Sequence, residues 1–466
     1  MNIEQSFIVK TLGCKLNQLE SEAISDTFLK AGYKKSISGL KYADFPSVII
    51  INTCTVTSKA DQKARREIRK VLRDYPDSTI IVTGCYAQLD RDELLGLEPD
   101  CRHRLFVVKK DEVLGFINKN FIEKISHTSN QNVCRTETQS FLENVKESRF
   151  QFNPVSFSGH TRSFLKIQDG CDNQCTYCRI RLARGQSISL EAAEVLSRLR
   201  MLEKDHAEAV LTGVNICQYE DSRIFYHEPH DHYKSDLPDL LTYLINNTEK
   251  INIRLSSLEP ESIDENFVSV ISHKRIRPHF HLSVQSCSSK ILEKMGRIYD
   301  GQTVEKAVSL LRSAKEDPFI ACDIITGFPG ETDIEFDQTY SICKNLDFAW
   351  IHVFPYSKRP GTPAYSFREK VHESEVSKRV QIFTGLAKKG REAYVRRWLG
   401  NEVDVLIESK EKRTSYLKQN CRGVSENYLK TLVRCNGKTL LPGIVVRCKL
   451  IDAGNFEDFD VVGELV

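Results

Sequence analysis

Three cysteines, Cys171, Cys175 and Cys178, lie close together in the polar segment DGCDNQCTYC. Thiols at this spacing are typical metal ligands. A structural zinc site needs four ligands, usually from two Cys-x-x-Cys or Cys/His pairs, and no second pair lies nearby. Three thiolates instead fit a 4Fe-4S cubane, whose fourth iron stays open to a small molecule that can chelate it. The alternative is three small buried core residues, as free cysteines often are.

Three further cysteines each follow a short apolar segment near the amino terminus. Cys14 follows 6–10, Cys54 follows 48–51 and Cys85 follows 79–82. Apolar runs without alternation, separated by helical stretches at 18–31 and 58–73, indicate a parallel sheet that is buried on both faces. Because the carboxyl ends of parallel strands gather along one edge, we predict that these thiols converge and hold a second iron-sulfur cluster. Three incidental loop cysteines are the alternative.

Both trios resemble known families. The C-x-x-x-C-x-x-C spacing resembles the radical S-adenosylmethionine enzymes, and the segments TLGCKLN (11–17), NTCTVT (52–57) and TGCYAQ (83–88) resemble the amino-terminal domain of the methylthiotransferases. The resemblance implies that Cys171, Cys175 and Cys178 hold a 4Fe-4S cluster that cleaves S-adenosylmethionine to a radical. It implies that Cys14, Cys54 and Cys85 hold an auxiliary 4Fe-4S cluster that carries the transferred sulfur, and that both clusters face one chamber.

The middle of the chain, 155–392, alternates strand and helix patterns. We predict strands at 163–167, 209–212, 253–256, 280–284, 320–325 and 350–354, with helices that include 190–204 and 303–316. Repeated strand-helix units imply a complete or partial parallel barrel with its chemistry at the carboxyl ends of the strands. By resemblance, the residues that bind S-adenosylmethionine are Gly213, Asn215, Ser256, Gln285, Ser286 and Thr326. Without the family, these are ordinary turns after strands.

Three features depart from the family pattern. No proline follows the third cysteine of the radical trio, and Cys217 and Cys287 stand where the family usually has glycine. We expect those two thiols to be bystanders. The stretch 219–234, which contains three histidines, reads as an inserted loop without a fixed metal geometry.

The carboxyl-terminal segment, 396–466, has short alternating strands at 402–407, 428–433 and 444–450, which predict a small antiparallel barrel. Residues 423–428 resemble part of the TRAM domain, an RNA-binding module. The interval 396–449 carries a surplus of roughly seven positive charges, which suits a phosphate backbone. The candidate RNA contacts are Lys410, Lys412, Arg413, Lys418, Tyr428 and Lys430. A plain barrel with ordinary surface lysines is the alternative.

Composition indicates an ordinary globular protein of about three domains, the first at 1–140. The sequence has 466 residues, a net charge of +3 and 15 cysteines, with no apolar run long enough for a membrane helix and no secretory signal. We therefore expect a cytoplasmic protein with reduced thiols. The helix at 58–73 carries seven Lys and Arg side chains. They form either a solvated face or a guide for a phosphate backbone.

The resemblance as a whole implies an α/β enzyme that adds a methylthio group to N6-threonylcarbamoyladenosine beside the anticodon of tRNA. The implied partners are the tRNA anticodon stem-loop and an electron-donor protein, without DNA or a membrane. Neighbouring branches of the family act on N6-isopentenyladenosine in tRNA or on a ribosomal protein. An alternative from another class is a non-catalytic RNA-binding protein whose cysteines hold structural metal.

Overall fold

The computed structural model describes residues 5–36, 46–122, 149–151, 162–222, 235–410, 420–435 and 437–466, with Lys410 described in its backbone only. The described residues form three parts: a parallel sheet with helices, a partial parallel barrel, and a small closed barrel. The predicted α/β fold class is confirmed. The domain boundaries stay predictions, and residues 123–148 and 152–161 lie outside the described residues.

The first part is a five-stranded sheet in which all neighbouring strands are parallel. Its strands, in the spatial order β2-β1-β3-β4-β5, are β1 Ser6–Thr11, β2 Lys34–Lys35, β3 Val48–Thr53, β4 Thr79–Gly84 and β5 Leu105–Val107. Its helices are α1 Lys15–Lys30, α2 Ser58–Asp74, α3 Cys85–Leu89, α4 Arg91–Leu95 and α5 Val113–Ile117. The three predicted strands are present, and the short edge strands β2 and β5 were not predicted.

Burial on both faces explains the continuous apolar runs of this sheet. Every residue of β3 is buried. On one face Ile50 packs with Phe28 of α1, and on the other Ile51 packs with Ile68 of α2. The two helices thus cover opposite faces, and the strand ends with their cysteines are left at one edge.

The second part contains two parallel sheets that follow each other around a partial barrel. Its strands are β6 Ser163–Lys166, β7 Gln168–Asp169, β8 Ile188–Ser189, β9 Glu208–Thr212, β10 Asn252–Leu255, β11 Ser257–Leu258, β12 His279–Gln285, β13 Phe319–Thr326 and β14 Trp350–Pro355. Strands β6, β9 and β10 form one sheet and β11 to β14 the other, while β7 and β8 form a separate antiparallel pair. Only Ser256 separates β10 from β11, so the two sheets continue into each other.

Helices cover the outside of this partial barrel. They are α6 Ile180–Arg184, α7 Ala192–Glu203, α8 Leu237–Asn246, α9 Glu265–Ile271, α10 Ser289–Met295, α11 Gly301–Ala314, α12 Asp333–Asn345 and α13 Glu373–Trp398. Short 3-10 helices lie at Pro99–Cys101, Ile216–Gln218, Pro260–Ser262 and Pro363–Ser366, and a π-helix lies at Asn118–Ile122. All six predicted strands of this part are present, and one continuous core joins both sheets.

The third part is a closed barrel of five strands. They are β15 Glu402–Lys410, β16 Asn420–Ser425, β17 Lys430–Arg434, β18 Val445–Ala453 and β19 Val461–Leu465. Four of the neighbouring pairs are antiparallel, as predicted, and the pair β17–β19 is parallel. Strands β16 and β19 were not predicted. The barrel core continues through Tyr394 of α13 to Phe319 of β13.

Candidate active site

A cavity of about 960 Å³ lies where the three parts of the chain meet. Its lining includes Cys14, Cys54 and Cys85 from the first part, Thr212, Gly213, Ser256, His279, His281 and His352 from the second, and Tyr428, Lys430 and Asp460 from the third. This volume is at the upper end of the range for small-molecule sites. The cavity therefore has room for a bulky ligand beside a metal centre.

The fold brings the first cysteine trio together at this cavity. Cys14 is the N-cap of α1, Cys54 follows β3, and Cys85 follows β4. A Cβ atom on Gly13 would lie 2.7 Å from the Cβ of Cys54, so these two loops are in direct contact. Gly84 has φ +95, and a side chain there would overlap the Thr53 carbonyl oxygen. Glycine at these positions allows the close approach of the three loops.

Asn17 fixes the Cys14 loop to the strand that leads to Cys54. Its Nδ2 donates to Asn52 Oδ1 and to the Thr53 carbonyl oxygen, each at 2.9 Å, while its Oδ1 accepts from Cys14 Sγ at 3.2 Å. Asn52 Nδ2 donates back to the Asn17 carbonyl oxygen at 2.9 Å. Both asparagines are fully buried, so this reciprocal pair sets the spacing between two thiols. Neither was singled out from the sequence, although both stand in the segments that carry the family resemblance.

The thiols of Cys54 and Cys85 are held in their protonated form by burial. Burial raises the pKa of Cys54 to about 12 and raises that of Cys85 as well. Negative charge on Cys14 would raise the pKa values of Cys54 and Cys85 further, because thiolates gathered at one site repel each other. A metal centre held by these thiols would therefore displace their protons and supply positive charge beside them.

Arg184 is the main cation beside these thiols. Its charge lowers the pKa of Cys85 against the effect of burial. Its Nη1 lies 2.9 Å from Glu20 Oε1 and 3.1 Å from Asp169 Oδ1, so it bridges the first and second parts of the chain. All three side chains are almost fully buried. A buried guanidinium held in this way offsets the negative charge of thiolates and stays fixed in position.

Asp169 also draws lysines into the network. Its Oδ2 lies 2.6 Å from Lys166 Nζ and 3.7 Å from Lys110 Nζ. Burial alone would raise the pKa of Asp169, but Lys166, Arg184 and Lys110 hold it well below its usual range. The ionised carboxylate thus anchors the strand that enters the second cysteine loop.

The second trio occupies the loop after β7, and Gln168 shapes this loop. Gln168 Nε2 donates to the Gly170 carbonyl oxygen at 2.8 Å, and its Oε1 accepts from the backbone of Val214 at 3.0 Å and of Asn215 at 2.9 Å. One buried side chain therefore ties the cysteine loop to the end of β9. Sequence reasoning missed Gln168, whose only signal was its place beside the Asp-Gly-Cys turn.

The second trio lies beside a buried arginine. Arg297 Nη1 donates to Glu259 Oε2 at 2.7 Å, and its Nη2 donates to the Tyr177 hydroxyl at 3.0 Å. Burial raises the pKa of each thiol, to about 12 at Cys178, while the charge of Arg297 opposes this at Cys175. Each cysteine trio thus has one buried arginine as its neighbour.

The two cysteine trios differ from the ligand set of a single metal ion. Within the described ranges, no three Cys, His, Asp or Glu side chains converge closely enough to hold one ion. A cubane is larger than an ion and takes its thiolates at separate corners. Each set supplies three thiols, which matches a cluster with one iron left without a protein ligand, whereas a structural zinc site takes four ligands.

The cavity reaches the two trios differently. The thiols of Cys14, Cys54 and Cys85 line it directly, whereas the second trio lies behind residues that do, among them Ile180 and Gly213. Since Cys171, Cys175 and Cys178 are not among the lining residues, only the first trio faces this cavity, and a chamber shared by both trios stays a prediction.

Of the predicted S-adenosylmethionine contacts, Gly213 and Ser256 line the cavity. Asn215 is buried and lies beside Cys171. Burial raises the pKa of the Cys171 thiol, and a hydrogen bond with the Asn215 side chain opposes this rise. Thr326 is fully buried, and its hydroxyl has no hydrogen-bond partner among the described residues. These four positions lie at or near the strand ends that face the second trio.

The other two predicted contacts have different surroundings. Ser286 Oγ lies 3.1 Å from Thr339 Oγ1 of α12, and Ser286 is almost fully buried. This hydroxyl joins β12 to the outer helix layer. Gln285 is buried and has φ +61, an uncommon conformation for a side-chain-bearing residue, and the register of β12 shifts beside it.

Three ring side chains of the barrel interior form a polar wall of the cavity. The rings of His281 and His352 stack in parallel with centroids 5.2 Å apart. His281 Nε2 lies 2.9 Å from Asp323 Oδ1, and Trp350 Nε1 donates to His352 Nδ1 at 3.2 Å. Sequence reasoning missed these histidines, because alternation along β12 and β14 does not reveal which face lines a cavity.

The predicted RNA contacts are only partly described. Tyr428 points into the cavity region, where its ring lies 3.9 Å from that of His279 and under the Arg254 guanidinium. Lys430 is exposed at the cavity rim. Lys412, Arg413, Lys418 and the side chain of Lys410 lie outside the described residues.

Helix α2 presents a row of exposed cations. The row consists of Lys59, Lys63, Arg66, Lys70 and Arg73, which follow one another at the spacing of one helix face. Within the row, Arg73 pairs with Asp74 at 3.1 Å, and the other arginines of the helix pair across to α4 and its neighbourhood: Arg65 with Glu93 at 2.9 Å and Arg69 with Glu98 at 3.5 Å. The helix begins just after the cavity-lining residue Val56.

The residues that depart from the family pattern are packed. Cys217 Sγ accepts from the backbone N–H of Glu259 at 3.3 Å, and Cys287 is buried in the barrel core. The three histidines of the inserted loop lie outside the described residues.

Comparison with known proteins agrees with this arrangement. Residues 6–105 match the family described as "Uncharacterized protein family UPF0004", and residues 165–343 match the radical SAM superfamily. The threonylcarbamoyladenosine tRNA methylthiotransferase MtaB of Treponema pallidum (strain Nichols) is 37% identical, over 96% of this chain and 98% of its own. The chain belongs to the methylthiotransferase family of radical S-adenosylmethionine enzymes.

Other methylthiotransferases are similar over nearly the whole chain. MtaB of Bacillus subtilis (strain 168) is 32% identical over 95% of this chain and 93% of its own. The tRNA-2-methylthio-N(6)-dimethylallyladenosine synthase of Thermobifida fusca (strain YX) is 28% identical over 96% of this chain and 87% of its own. The predicted family and enzyme class are confirmed, with S-adenosylmethionine and two 4Fe-4S clusters as the cofactors of this family.

Proposed function

We propose that this methylthiotransferase converts N6-threonylcarbamoyladenosine beside the tRNA anticodon into its 2-methylthio derivative. The observation that carries the proposal is the cavity in which Cys14, Cys54 and Cys85 face the strand ends of the partial barrel. The threonylcarbamoyladenosine enzymes of Treponema pallidum and Bacillus subtilis support this substrate. The dimethylallyladenosine synthase relative, at lower identity, makes N6-isopentenyladenosine the candidate to test against it.

We assign the cluster ligands by trio. Cys171, Cys175 and Cys178 hold the radical cluster, and Cys14, Cys54 and Cys85 hold the auxiliary cluster. When bound, these clusters and S-adenosylmethionine supply two things: a radical that removes the hydrogen from the adenine carbon, and the sulfur and methyl group that take its place.

The chain's own residues position these groups. Gln168 holds the radical-cluster loop against the end of β9, where Gly213 and Asn215 would contact the methionine end of S-adenosylmethionine. Asn17 and Asn52 keep the auxiliary thiols at a fixed spacing. Arg184 and Arg297 place a buried positive charge beside each trio, which stabilises an anionic cluster.

The RNA partner is the tRNA anticodon stem-loop. A base in a single-stranded loop can leave the stack and enter a pocket at low cost, and aromatic side chains commonly hold such bases. Lys430 and the candidate residues Lys410, Lys412, Arg413 and Lys418 would then contact the backbone outside the cavity. Radical cleavage also needs an electron, for which we propose an electron-donor protein as a partner. We propose the cytoplasm as the location, since the substrate is tRNA. The described residues contain no helix that is long and apolar enough to cross a membrane.

Two cysteine variants test the ligand assignment. After anaerobic reconstitution the wild-type chain should hold about eight irons, and Cys175→Ala and Cys54→Ala about four each. Cys175→Ala should form no 5′-deoxyadenosine, whereas Cys54→Ala should form it without making methylthio product. Cys101→Ala, a partly exposed cysteine outside both trios, should match wild type. Equal iron content in Cys54→Ala and wild type would refute the auxiliary site.

Substrate identity is tested separately by nucleoside mass spectrometry. The reconstituted enzyme is given stem-loop RNA that carries either threonylcarbamoyladenosine or isopentenyladenosine. Methylthio product from the first RNA alone supports the proposal. Product from the second RNA alone overturns it and leaves the family assignment intact.

A further inference from the structure

Lys15 lines the cavity, and no residue in the described part of the chain pairs with its ammonium group. It is the first residue of α1, directly after Cys14, and it lines the cavity with the auxiliary cysteine trio. Its side chain is accessible there. Among the residues that the structure describes, none forms a hydrogen bond or an ion pair with its ammonium group. An accessible ammonium without a partner attracts an anion.

The neighbouring cations already have carboxylate partners. Arg162 Nε donates to Glu408 Oε1 at 2.8 Å, and Arg254 Nε donates to Glu208 Oε1 at 2.7 Å. Both guanidinium groups lie near Lys15, together with the ring of Tyr428. This corner of the cavity therefore has a positive excess, and Lys15 is its one uncompensated member within the described ranges.

The proposed substrate has an anion at the matching place. The N6 substituent of threonylcarbamoyladenosine ends in a carboxylate, whereas an isopentenyl group is uncharged. Carbons C2 and C6 of adenine flank the same ring nitrogen, so the atom that receives sulfur and the atom that bears the substituent are close together. A side chain that binds the N6 substituent must therefore lie close to the cysteine trio that delivers sulfur to C2.

We propose that Lys15 binds the carboxylate of the N6-threonylcarbamoyl group and thereby selects this substrate over adenosines with uncharged substituents. This proposal rests on the proposed function. Its place one residue after Cys14 puts the ammonium beside the sulfur-delivering trio. Two other lysines that line the cavity, Lys388 and Lys430, also lack an ion pair among the described residues and are exposed like Lys15, but they stand on α13 and β17, and neither follows a cysteine of the trio. They are suited to the RNA backbone and not to the modified base.

The test compares Lys15→Gln with wild type in the reconstituted full-length enzyme. Binding is measured by anaerobic fluorescence anisotropy with two stem-loop RNAs, one with threonylcarbamoyladenosine and one with its carboxylate methyl ester. Loss of a hydrogen-bonded ion pair should weaken binding of the first RNA by about tenfold to a hundredfold. Wild type and Lys15→Gln should bind the ester equally, because the ester has no charge to lose. Lys15→Arg should recover most of the affinity for the acid.

Lys388→Gln is the matched control, since it removes the same charge from the same cavity and should leave the preference for the acid unchanged. The proposal is overturned if Lys15→Gln weakens both RNAs equally, which would indicate a backbone contact. It is overturned as well if the variant loses iron, which would make Lys15 a counter-charge of the cluster, or if Lys388→Gln abolishes the preference.

A wrong substrate and a wrong assignment of Lys15 give different binding results. If wild type binds threonylcarbamoyl RNA no better than unmodified RNA, the proposed substrate is wrong. If wild type prefers it and Lys15→Gln keeps that preference, only the assignment of Lys15 is wrong.

Discussion

Arg359 donates from Nη2 to the side-chain oxygen of Thr55 at 2.6 Å and to the Thr55 carbonyl oxygen at 3.0 Å. Thr55 follows Cys54 directly, and Arg359 comes from the loop after β14, on the far side of the partial barrel. The same guanidinium lies 2.6 Å from Asp61 of α2. One buried arginine therefore ties the Cys54 loop and α2 to the partial barrel.

Arg359→Gln should uncouple sulfur transfer from radical formation. The shorter side chain leaves Asp61 buried without its partner, which should destabilise the fold by about 3 to 5 kcal/mol. A displacement of the Cys54 loop near 1 Å should lower methylthio transfer by about a hundredfold. The radical trio is untouched, so 5′-deoxyadenosine should still form. The ratio of methylthio product to 5′-deoxyadenosine measures the effect.

The neighbouring Lys358→Gln is the control, because that side chain is exposed and does not contact Thr55. A proportional loss of both products in Arg359→Gln would contradict the idea that this contact positions the sulfur.

Arg184→Met should lose the auxiliary cluster. The change removes the cation beside Cys85 and leaves Glu20 and Asp169 as buried carboxylates, so an anionic cluster is no longer balanced. Iron should fall from about eight to about four per chain. Arg184→Lys should hold an intermediate amount, since an ammonium keeps the charge but cannot reproduce the guanidinium geometry. Iron and sulfide analysis with visible absorption gives the readout, and Arg181→Gln on the same helix serves as control.

The long-range contacts explain how much of this site was predictable. Convergence of Cys14, Cys54 and Cys85 follows from a general property of parallel sheets, so local strand patterns were sufficient. The contact of Glu20 with Arg184 joins residues 164 positions apart, and no local pattern indicates it. The predicted trio was visible in the sequence, and the arginine that balances its charge was not.

The missed strands have a similar explanation. Strands β2 and β5 contain two and three residues, which is too short for a periodic pattern. Strand β16 includes Arg422 and Gly423, and its last three residues are all buried, so the alternation expected of a surface strand is broken. Its position in the barrel depends on pairing with β15 and β17, which a local pattern does not reveal. The placement of Tyr428 beside His279 likewise depends on how the small barrel docks onto β12, which its own sequence does not encode.

Glu261 should make stability depend on pH. Burial raises its pKa to about 6, with the charge of Glu259 adding to the effect. The unfolded chain releases this proton near pH 4.3, so the folded state binds more protons between the two values and stability falls as pH rises through that window. Glu261→Gln cannot ionise. It should therefore raise the melting temperature at about pH 7.5 and leave it nearly unchanged at about pH 4.5.

The exposed Glu265→Gln should shift neither melting temperature by a comparable amount. Equal shifts of Glu261→Gln at both pH values would show that the carboxyl group acts through packing and not through its charge.

The cation row on α2 should contribute to tRNA binding through the phosphate backbone. Lys63→Gln combined with Arg66→Gln should lower affinity at low salt and reduce the slope of log affinity against log salt by about 0.7 to 0.9 for each phosphate contact removed. Filter binding over a salt series measures the slope. Lys306→Gln with Lys344→Gln removes the same charge from exposed positions of α11 and α12 and should leave the slope unchanged. An equal change of slope in both double variants would mean that net charge alone attracts the RNA. An unchanged slope in the Lys63→Gln, Arg66→Gln variant would show that the cation row is only a solvated helix face.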